Sequence, residues 1–350
     1  MATIRDISKR CGVSVATVSK VLNGYREIGE ETKQKVLKAA EELGYVQGER
    51  TKYGRQRRGY QIGFLLSTLS SQGLKNEYFA SILSAFRQEA TRAGYDITFI
   101  EHNVGKRSLS YLEHCRSRGF DGVCIACADF SRQEVLELIN SEFPVVTIDQ
   151  SFNESISILS DNADGMRQLT EYIISRGHTR IACIHGTHSV VTHNRLVSFH
   201  SVMARYGLAV PEEYLLEGEY QNADAAERLA GQLLDGRNPP TCILAPDDYA
   251  ALGLIKAIKR RGLRIPEDVS VAGYDGISVS QALEPKLTTV RQDTERIGRE
   301  AARQLICLME SPMTTPLETI VMPVELVEGE SVGRLGTRRQ AGRNYTGTKE

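Results

Sequence analysis

The 350-residue chain has no apolar run that approaches a membrane span, and its first residues lack the apolar core of a signal peptide. Both absences argue against a membrane protein and predict a cytoplasmic chain. Cysteine pairing is missing too. The seven cysteines are odd in number and scattered, which suits a reducing compartment rather than a disulfide framework. Cys124 and Cys127 form a C-x-x-C inside the apolar run 122–128, but no second pair and no helix start accompanies them. They read as part of a buried strand, not as a redox or metal site. There is no G-x-S-x-G elbow, Walker loop or H-E-x-x-H. His185, His188 and His193 fall close together, yet no cysteine or carboxylate joins them at ligand spacing. An enzyme is disfavoured, and no cofactor or metal is expected.

What is present is an ordinary globular composition, 41% hydrophobic and 25% charged, long enough for two or three domains. The formal net charge is only -1, but it is unevenly spread. Residues 1–60 are strongly basic and the remainder is acidic. A basic head on an acidic body is the footprint of a protein that presents one end to nucleic acid.

The head, residues 1–46, is expected to be all-α. Thr3 to Asn23 reads as two short helices joined by a tight turn at 11–14. Gly12 is free to adopt positive φ, and Ser14 stands where an N-cap belongs. On a helical wheel Val18, Val21 and Leu22 gather on one side, and Val15, Ala16, Ser19 and Lys20 on the other. An apolar back with a small, polar and basic front suits a helix that enters the major groove. The alternative is a helical hairpin that only packs. A third helix over 30–43 carries Val36, Leu37, Ala40 and Leu43 to cover Ile7, Val18 and Leu22. Residues 47–60 form a linker with three glycines, five Lys/Arg and one acid. It reads as a flexible tether whose charges would gain counterion-release affinity beside DNA.

From Gln61 short apolar runs alternate with amphipathic helices. Strands are expected at 61–66, 96–101, 122–126 and 145–149, then at 181–185, 215–219, 241–245 and 269–274. Helices are expected at 78–93, 107–117, 133–140, 163–176, 194–206, 223–234 and 247–261. Two such series imply an α/β body of two Rossmann-like lobes with parallel sheets. The lobes are taken as 61–160 with 293–325, and 161–292. Ligands of such folds bind beyond the carboxyl ends of the strands, here in the cleft between lobes. Asp149, Asp247, Asp248 and Asp275 stand at those ends, with Arg195 at a helix start after a loop. Such groups suit a hydroxyl-rich ligand, and Tyr78, Phe79 and Tyr220 offer flat faces for a ring. Each aspartate alone could be a helix N-cap.

At this point the chain resembles the LacI/GalR family of bacterial transcription regulators over residues 2–330. The pattern T-I-x-D-I-S-x-x-x-G-V-S-x-x-T-V-S-x-V-L-N at Thr3–Asn23 is highly specific. Residues 176–181, 195–199, 247–253, 268–275 and 285–290 resemble motifs of the family's body. The resemblance implies a helix-turn-helix head, a hinge and a core similar to periplasmic sugar-binding proteins. It also implies a homodimer on a near-palindromic double-stranded operator and a small effector in the cleft. Carried over by position, Val15, Ala16 and Lys20 match base-reading places. Thr3, Ser14, Thr17, Ser19 and Asn23 match phosphate-touching places. Phe79, Asp149, Arg195, Tyr220, Asp247 and Asp275 match effector-contacting places.

The departures are informative. The family hinge reads Tyr-x-Pro-Asn and then Ala-x-x-Leu, its leucine wedged into the minor groove. Here the matching places are Gln47, Gly48, Thr51 and Gly54. Aspartate at 247, where the family has asparagine, adds negative charge and favours a neutral or cationic effector, foremost a sugar. A purine or sugar phosphate ranks lower. A solute-binding or sugar-metabolising protein on the same body is the rival class. Residues 331–350 are polar, Gly-rich and basic, lack the leucine heptads of a tetramer and read as a disordered tail. Glycine at 54 cannot wedge and disfavours a hinge helix, so phosphate contact should lean on Arg50, Lys52, Arg55, Arg57 and Arg58. Gly54→Leu should increase both operator bending and affinity. A circular-permutation gel assay reading the same bend angle for both proteins would refute this.

Overall fold

The computed structural model describes residues 4–22, 28–43, 59–66, 76–104 and 107–335. It divides into two compact units, 1–59 and 60–350.

The first unit holds α1 (Ile4–Cys11), α2 (Val15–Leu22) and α3 (Glu30–Glu42). Gly12 adopts φ 73° between α1 and α2, a left-handed turn that a β-carbon would strain. Ser14 opens α2, its hydroxyl accepting from the Thr17 N–H at 3.0 Å. Ile7, Val18, Val21, Val36, Ala39 and Ala40 form a small core. Leu37, expected in that core, is 53% exposed; one residue past Val36 turns it about 100° away, and Ala39 takes the inward place.

The second unit is the expected α/β body. One lobe contains β1 (Gln61–Leu66), α4 (Glu77–Arg92), β2 (Asp96–Phe99), the hairpin β3 (Asn103–Val104) and β4 (Arg107–Ser108), α5 (Tyr111–Arg118), β5 (Gly122–Ala126), α6 (Gln133–Ile139), β6 (Val145–Ile148) and β7 (Ile156–Ser160). The other contains α7 (Asn162–Ser175), β8 (Ile181–His185), α8 (Val190–Arg205), β9 (Leu215–Glu217), α9 (Ala223–Asp235), β10 (Cys242–Leu244), α10 (Asp248–Arg260), β11 (Ser270–Ala272) and α11 (Ser278–Ala282). The chain then returns through β12 (Thr289–Gln292), α12 (Thr294–Glu310), β13 (Thr319–Met322) and β14 (Val324–Val327).

The first sheet runs β13-β7-β6-β5-β1-β2 and the second β11-β10-β8-β9, both wholly parallel. Strands such as Gly122–Ala126 and Val145–Ile148 are buried along their whole length, as a sheet covered on both faces requires. Antiparallel β12 and β14 form a two-stranded link. Polar caps start the helices where strands end: Asn76, Asp161, Ser189, Asn222, Asp247 and Asp293 each accept from a backbone N–H of the following turn. The expected helix at 107 begins at Tyr111 instead, because Ser110 and Glu113 make a reciprocal capping box.

Helix α12 packs along α4 with Gly298 against the Ile82 carbonyl. A β-carbon there would lie 2.2 Å from that oxygen, so only glycine permits the approach.

The expected disordered tail begins too early. Residues 331–335 lie along the edge of the second sheet. The Val271 N–H donates to the Ser331 carbonyl at 3.0 Å, the Ser331 hydroxyl to the Val271 carbonyl at 2.6 Å, and the Leu335 N–H to the Arg176 carbonyl at 2.9 Å. Val332 is buried in the lobe's core, and buried His178 bonds the Gly333 carbonyl and the Thr241 hydroxyl. The polar, Gly-rich composition concealed this because backbone groups make most of the contacts.

A chain ending at residue 330 should therefore melt at least about 5 °C below one ending at 335. It loses the burial of Val332 and leaves the β11 edge unpaired. Equal melting temperatures by calorimetry would show that the strap contributes nothing.

Candidate functional site

On α2, Val18 and Val21 face the core while Val15 is 45% exposed, as the wheel requires. Ala16, Ser19 and Lys20 lie in the same helix; their side chains are outside the described residues. The Ser14 and Thr17 hydroxyls sit 2.8 Å apart at its start, beside N–H groups that suit an anion. Thr3, Asn23, Arg50, Lys52 and Arg55, with the hinge positions Gln47, Gly48, Thr51 and Gly54, lie outside the described residues.

In the body, the carboxyl ends of the strands carry the expected groups. Tyr78, in the first turn of α4, donates its hydroxyl to the Asp149 carboxylate, with oxygens at 3.3 and 3.2 Å, and lies 3.5 Å from Gln292 Oε1. Gln292 in turn donates Nε2 to Asp275 Oδ1 at 2.7 Å. Arg195 Nη2 stands 3.9 Å from that same oxygen. A polar line thus runs from Asp149 in one lobe, through Tyr78 and Gln292, to Asp275 and Arg195 in the other. Phe79 packs edge-on to Tyr78, centroids 5.0 Å apart, and joins the apolar core of its lobe.

Arg195 does not start its helix, as expected from sequence, but lies in its second turn. The Ser189 hydroxyl caps α8 by accepting from the Thr192 N–H. The guanidinium is fixed on several sides. Nε donates to Asn162 Oδ1 at 2.7 Å, Nη1 donates to the Pro246 carbonyl at 3.0 Å, and Cζ lies over the Tyr274 ring, 3.5 Å from its centroid. Tyr220 stands farther off at 5.9 Å, its hydroxyl bonded to Thr192.

Asp247 and Asp248 are both fully buried and heavily engaged. Asp247 accepts from the N–H groups of Gln221 and Ala250, each at 2.7 Å. Asp248 accepts from the Ile277 N–H at 2.9 Å and the Thr289 hydroxyl at 2.6 Å. Their oxygens knit the loops of the second lobe together. Asp149 and Asp275, with fewer partners, keep acceptor capacity for a ligand.

Burial dominates the titration of these groups. It raises Asp149 to about 6, against the pull of Arg195 and the Tyr78 hydrogen bond, and Asp248 to about 7. Asp275 and Asp247 are raised for the same reason, with Arg195 opposing. Burial disfavours the Arg195 charge, but nearby tyrosines and Asp275 outweigh it and the charged form is favoured.

The backbone is strained at the same places. Cys127, Asp149, Gln221 and Asp275 have φ of 50°, 67°, 58° and 103°, a region that non-glycine residues enter only when their surroundings hold them. These residues follow β5, β6, β9 and β11, so both lobes contribute.

A cavity of about 510 Å³ is lined by Tyr78, Asp275 and Gln292, together with Glu77, Arg291 and Glu325. It reaches only part of the expected set, for Asp149, Arg195, Tyr220 and Asp247 do not line it. His185 ends β8 while His193 lies in α8, and among the described residues no three His, Cys, Asp or Glu side chains are placed to hold a metal. No described helix is long and apolar enough to cross a membrane. Sequence reasoning missed Gln292, Asn162 and Tyr274. Gln292 follows Leu287, Thr288, Thr289, Val290 and Arg291, which make no apolar run, so neither it nor Asn162 carried the signal that marks the strand-end aspartates.

The profile of bacterial regulatory proteins of the lacI family matches residues 3–47, and that of a periplasmic binding protein-like domain matches residues 170–332. The HTH-type transcriptional repressor PurR of Vibrio campbellii is 31% identical over 314 residues, covering 87% of this chain and 91% of that protein. The probable HTH-type transcriptional repressor ExuR of Bacillus subtilis is 29% identical over 344 residues, covering 96% and 100%. Among solved structures, the transcriptional regulator CelR–cellobiose complex matches with a TM-score of 0.68 at 27% identity, covering 95% of this chain and 100% of that one. The lac repressor dimer bound to operator and the anti-inducer ONPF matches with a TM-score of 0.68 at 27% identity, covering 95% and 99%.

The raised carboxyls give a signed pH dependence. The folded chain holds their protons more tightly than the unfolded chain does. Their contribution to stability is complete below the ordinary aspartate range and is lost as pH rises through about 6 to 7. Buried His178, lowered by desolvation, acts the other way, its contribution being lost as pH falls. Asp248→Asn should remove a slope of up to about 1.4 kcal/mol per pH unit. Urea midpoints measured from pH 4.5 to 7.5 would refute this if the two proteins gave parallel curves.

Proposed function

This chain belongs to the lacI family of bacterial regulatory proteins and is a DNA-binding transcriptional regulator; we propose that a neutral, hydroxyl-rich effector, foremost a sugar, sets its operator affinity from the cleft between the two lobes. The protein works as a homodimeric repressor in the cytoplasm, without catalysis. The observation that carries the effector reading is the polar line from Asp149 through Tyr78 and Gln292 to Asp275 and Arg195. Sugar hydroxyls can donate to the two aspartates and accept from Arg195. Asp275 already opposes the Arg195 charge, which leaves little attraction for an anion. Tyr220 offers a ring face, and Asp247 acts by holding the Gln221 loop instead of touching the ligand. The cellobiose-bound relative supports the ligand class, and the operator-bound dimer supports the assembly.

In the head, Val15, Ala16 and Lys20 read bases. Thr3, Ser14, Thr17, Ser19 and Asn23, with Arg50, Lys52 and Arg55, hold phosphates. Differential affinity of the effector for two lobe arrangements would then shift the spacing of the paired heads.

The test is a thermal-shift panel of neutral sugars, sugar phosphates and nucleobases on the full-length protein. One neutral sugar should raise the melting temperature, by about 2.7 kcal/mol of added stability at a hundredfold excess over Kd. Asp275→Asn and Arg195→Ala should abolish the shift. A shift with only a purine or a sugar phosphate would overturn the ligand class. Lys20→Ala should weaken binding to a duplex selected from a random pool by about tenfold or more. An unchanged Kd by fluorescence anisotropy would remove Lys20 from the reading helix.

A further inference from the structure

The first turn of α4 reaches the other lobe at a second point, one residue before Tyr78. Glu77 Oε1 accepts from the backbone N–H of Ser278 at 2.8 Å, and Oε2 accepts from the Ser278 hydroxyl at 2.7 Å. Ser278 opens α11, which follows Ile277. Ile277 has no side-chain group that could cap that helix. The Ile277 N–H is held within its own lobe by Asp248, and the next N–H is held by a carboxylate from the opposite lobe. The turn that carries Glu77 is itself fixed, for the Asn76 side chain accepts from the Tyr78 N–H at 2.9 Å. Two consecutive side chains of one rigid turn thus fasten to elements the other lobe positions: Glu77 to Ser278, and Tyr78 to Gln292.

We propose that the Glu77–Ser278 pair is a latch that holds the two lobes in the closed arrangement, with Glu77 as a positioning residue for the regulatory response. Both bonds span the lobes, and Ser278 is exposed. When the lobes part, water can replace each bond directly, whereas the neighbouring Ile277 and Val279, which pack against the first lobe's apolar core, must be withdrawn from it. The strength of the latch sets how far an effector must shift the closed–open balance. The latch depends on the two-lobed body alone and not on the identity of the effector. Its failure would therefore leave the sugar reading untouched, and the reverse also holds.

The test uses the full-length protein with no ligand, comparing wild type with Glu77→Ala, Glu77→Gln, Ser278→Ala and the Glu77→Ala/Ser278→Ala double variant. Hydrogen exchange should speed up about fivefold in residues 276–283 and, in concert, in the first turn of α4. Solution X-ray scattering should show a larger radius of gyration. Glu77→Gln, which keeps one acceptor, should fall between wild type and Glu77→Ala. The double variant should go no further than Glu77→Ala, as expected for two groups that act only through each other. Melting temperatures should stay close to wild type. If Glu77→Ala melts markedly lower, Ser278→Ala carries the test, because it retains the backbone bond and should give a smaller concerted effect. Faster exchange confined to residues 276–283, with superimposable scattering curves, would overturn the latch, as would full additivity of the two substitutions.

Discussion

The second lobe depends on two adjacent carboxylates buried at the end of one strand. Asp247 and Asp248 follow β10, and between them they take three backbone N–H groups and a threonine hydroxyl from four separate segments. Burying two neighbouring acids is unfavourable on its own, which is why both titrate upward. It is tolerated because the two carboxylates satisfy these donors, and an unsatisfied buried N–H costs about 1–3 kcal/mol. The Gln221 loop, the start of α10, the turn before α11 and β12 are thus fixed relative to one another. The left-handed backbone at Gln221 and Asp275 persists within that frame.

The same frame decides which side chains remain for a ligand. Asp247 stands where a ligand contact was expected, yet its oxygens already serve the main chain. Arg195 is held over the Tyr274 ring by two side-on acceptors, so its remaining Nη hydrogens have a set direction. A lysine there would keep the charge and lose the plane. Asp149 and Asp275 face each other across the line bridged by Tyr78 and Gln292. A ligand entering there competes with protein groups for these bonds, and the energy it gains is a difference between two bonded states.

Much of this was legible from residue order. Strand–helix alternation gave both parallel sheets, since fully buried strands read as unbroken apolar runs such as 122–126 and 145–148. The aspartates showed themselves because a carboxylate directly after such a run cannot share its apolar surroundings and marks the polar end of the strand. The start of α8 was misread: Val190 and Val191 look like strand or loop residues, and only the Ser189 cap reveals the extra turn. Helix α12 escaped notice although Ile297, Ala301 and Leu305 recur at helical spacing. The partners of Arg195 could not be inferred, because Asn162 and Pro246 are brought to it by tertiary packing and carry no local pattern. The strap at 331–335 was hidden for a related reason, since most of its bonds use its own main-chain groups and so leave no residue pattern.

That strap and β13 together make both lobes discontinuous. The first sheet lacks its edge strand until residues 319–322 join β7, and the second lacks cover on β11 until residues 331–335 arrive. During synthesis, strands β1 to β11 emerge long before either lobe can be finished. Each growing chain therefore carries two open sheet edges, the kind of surface that invites pairing with another nascent chain. The first lobe is not finished until residue 322 has left the ribosome, nor the second until residue 335 has. The small head, whose helices lie within the first 43 residues, is free to fold long before the body is complete.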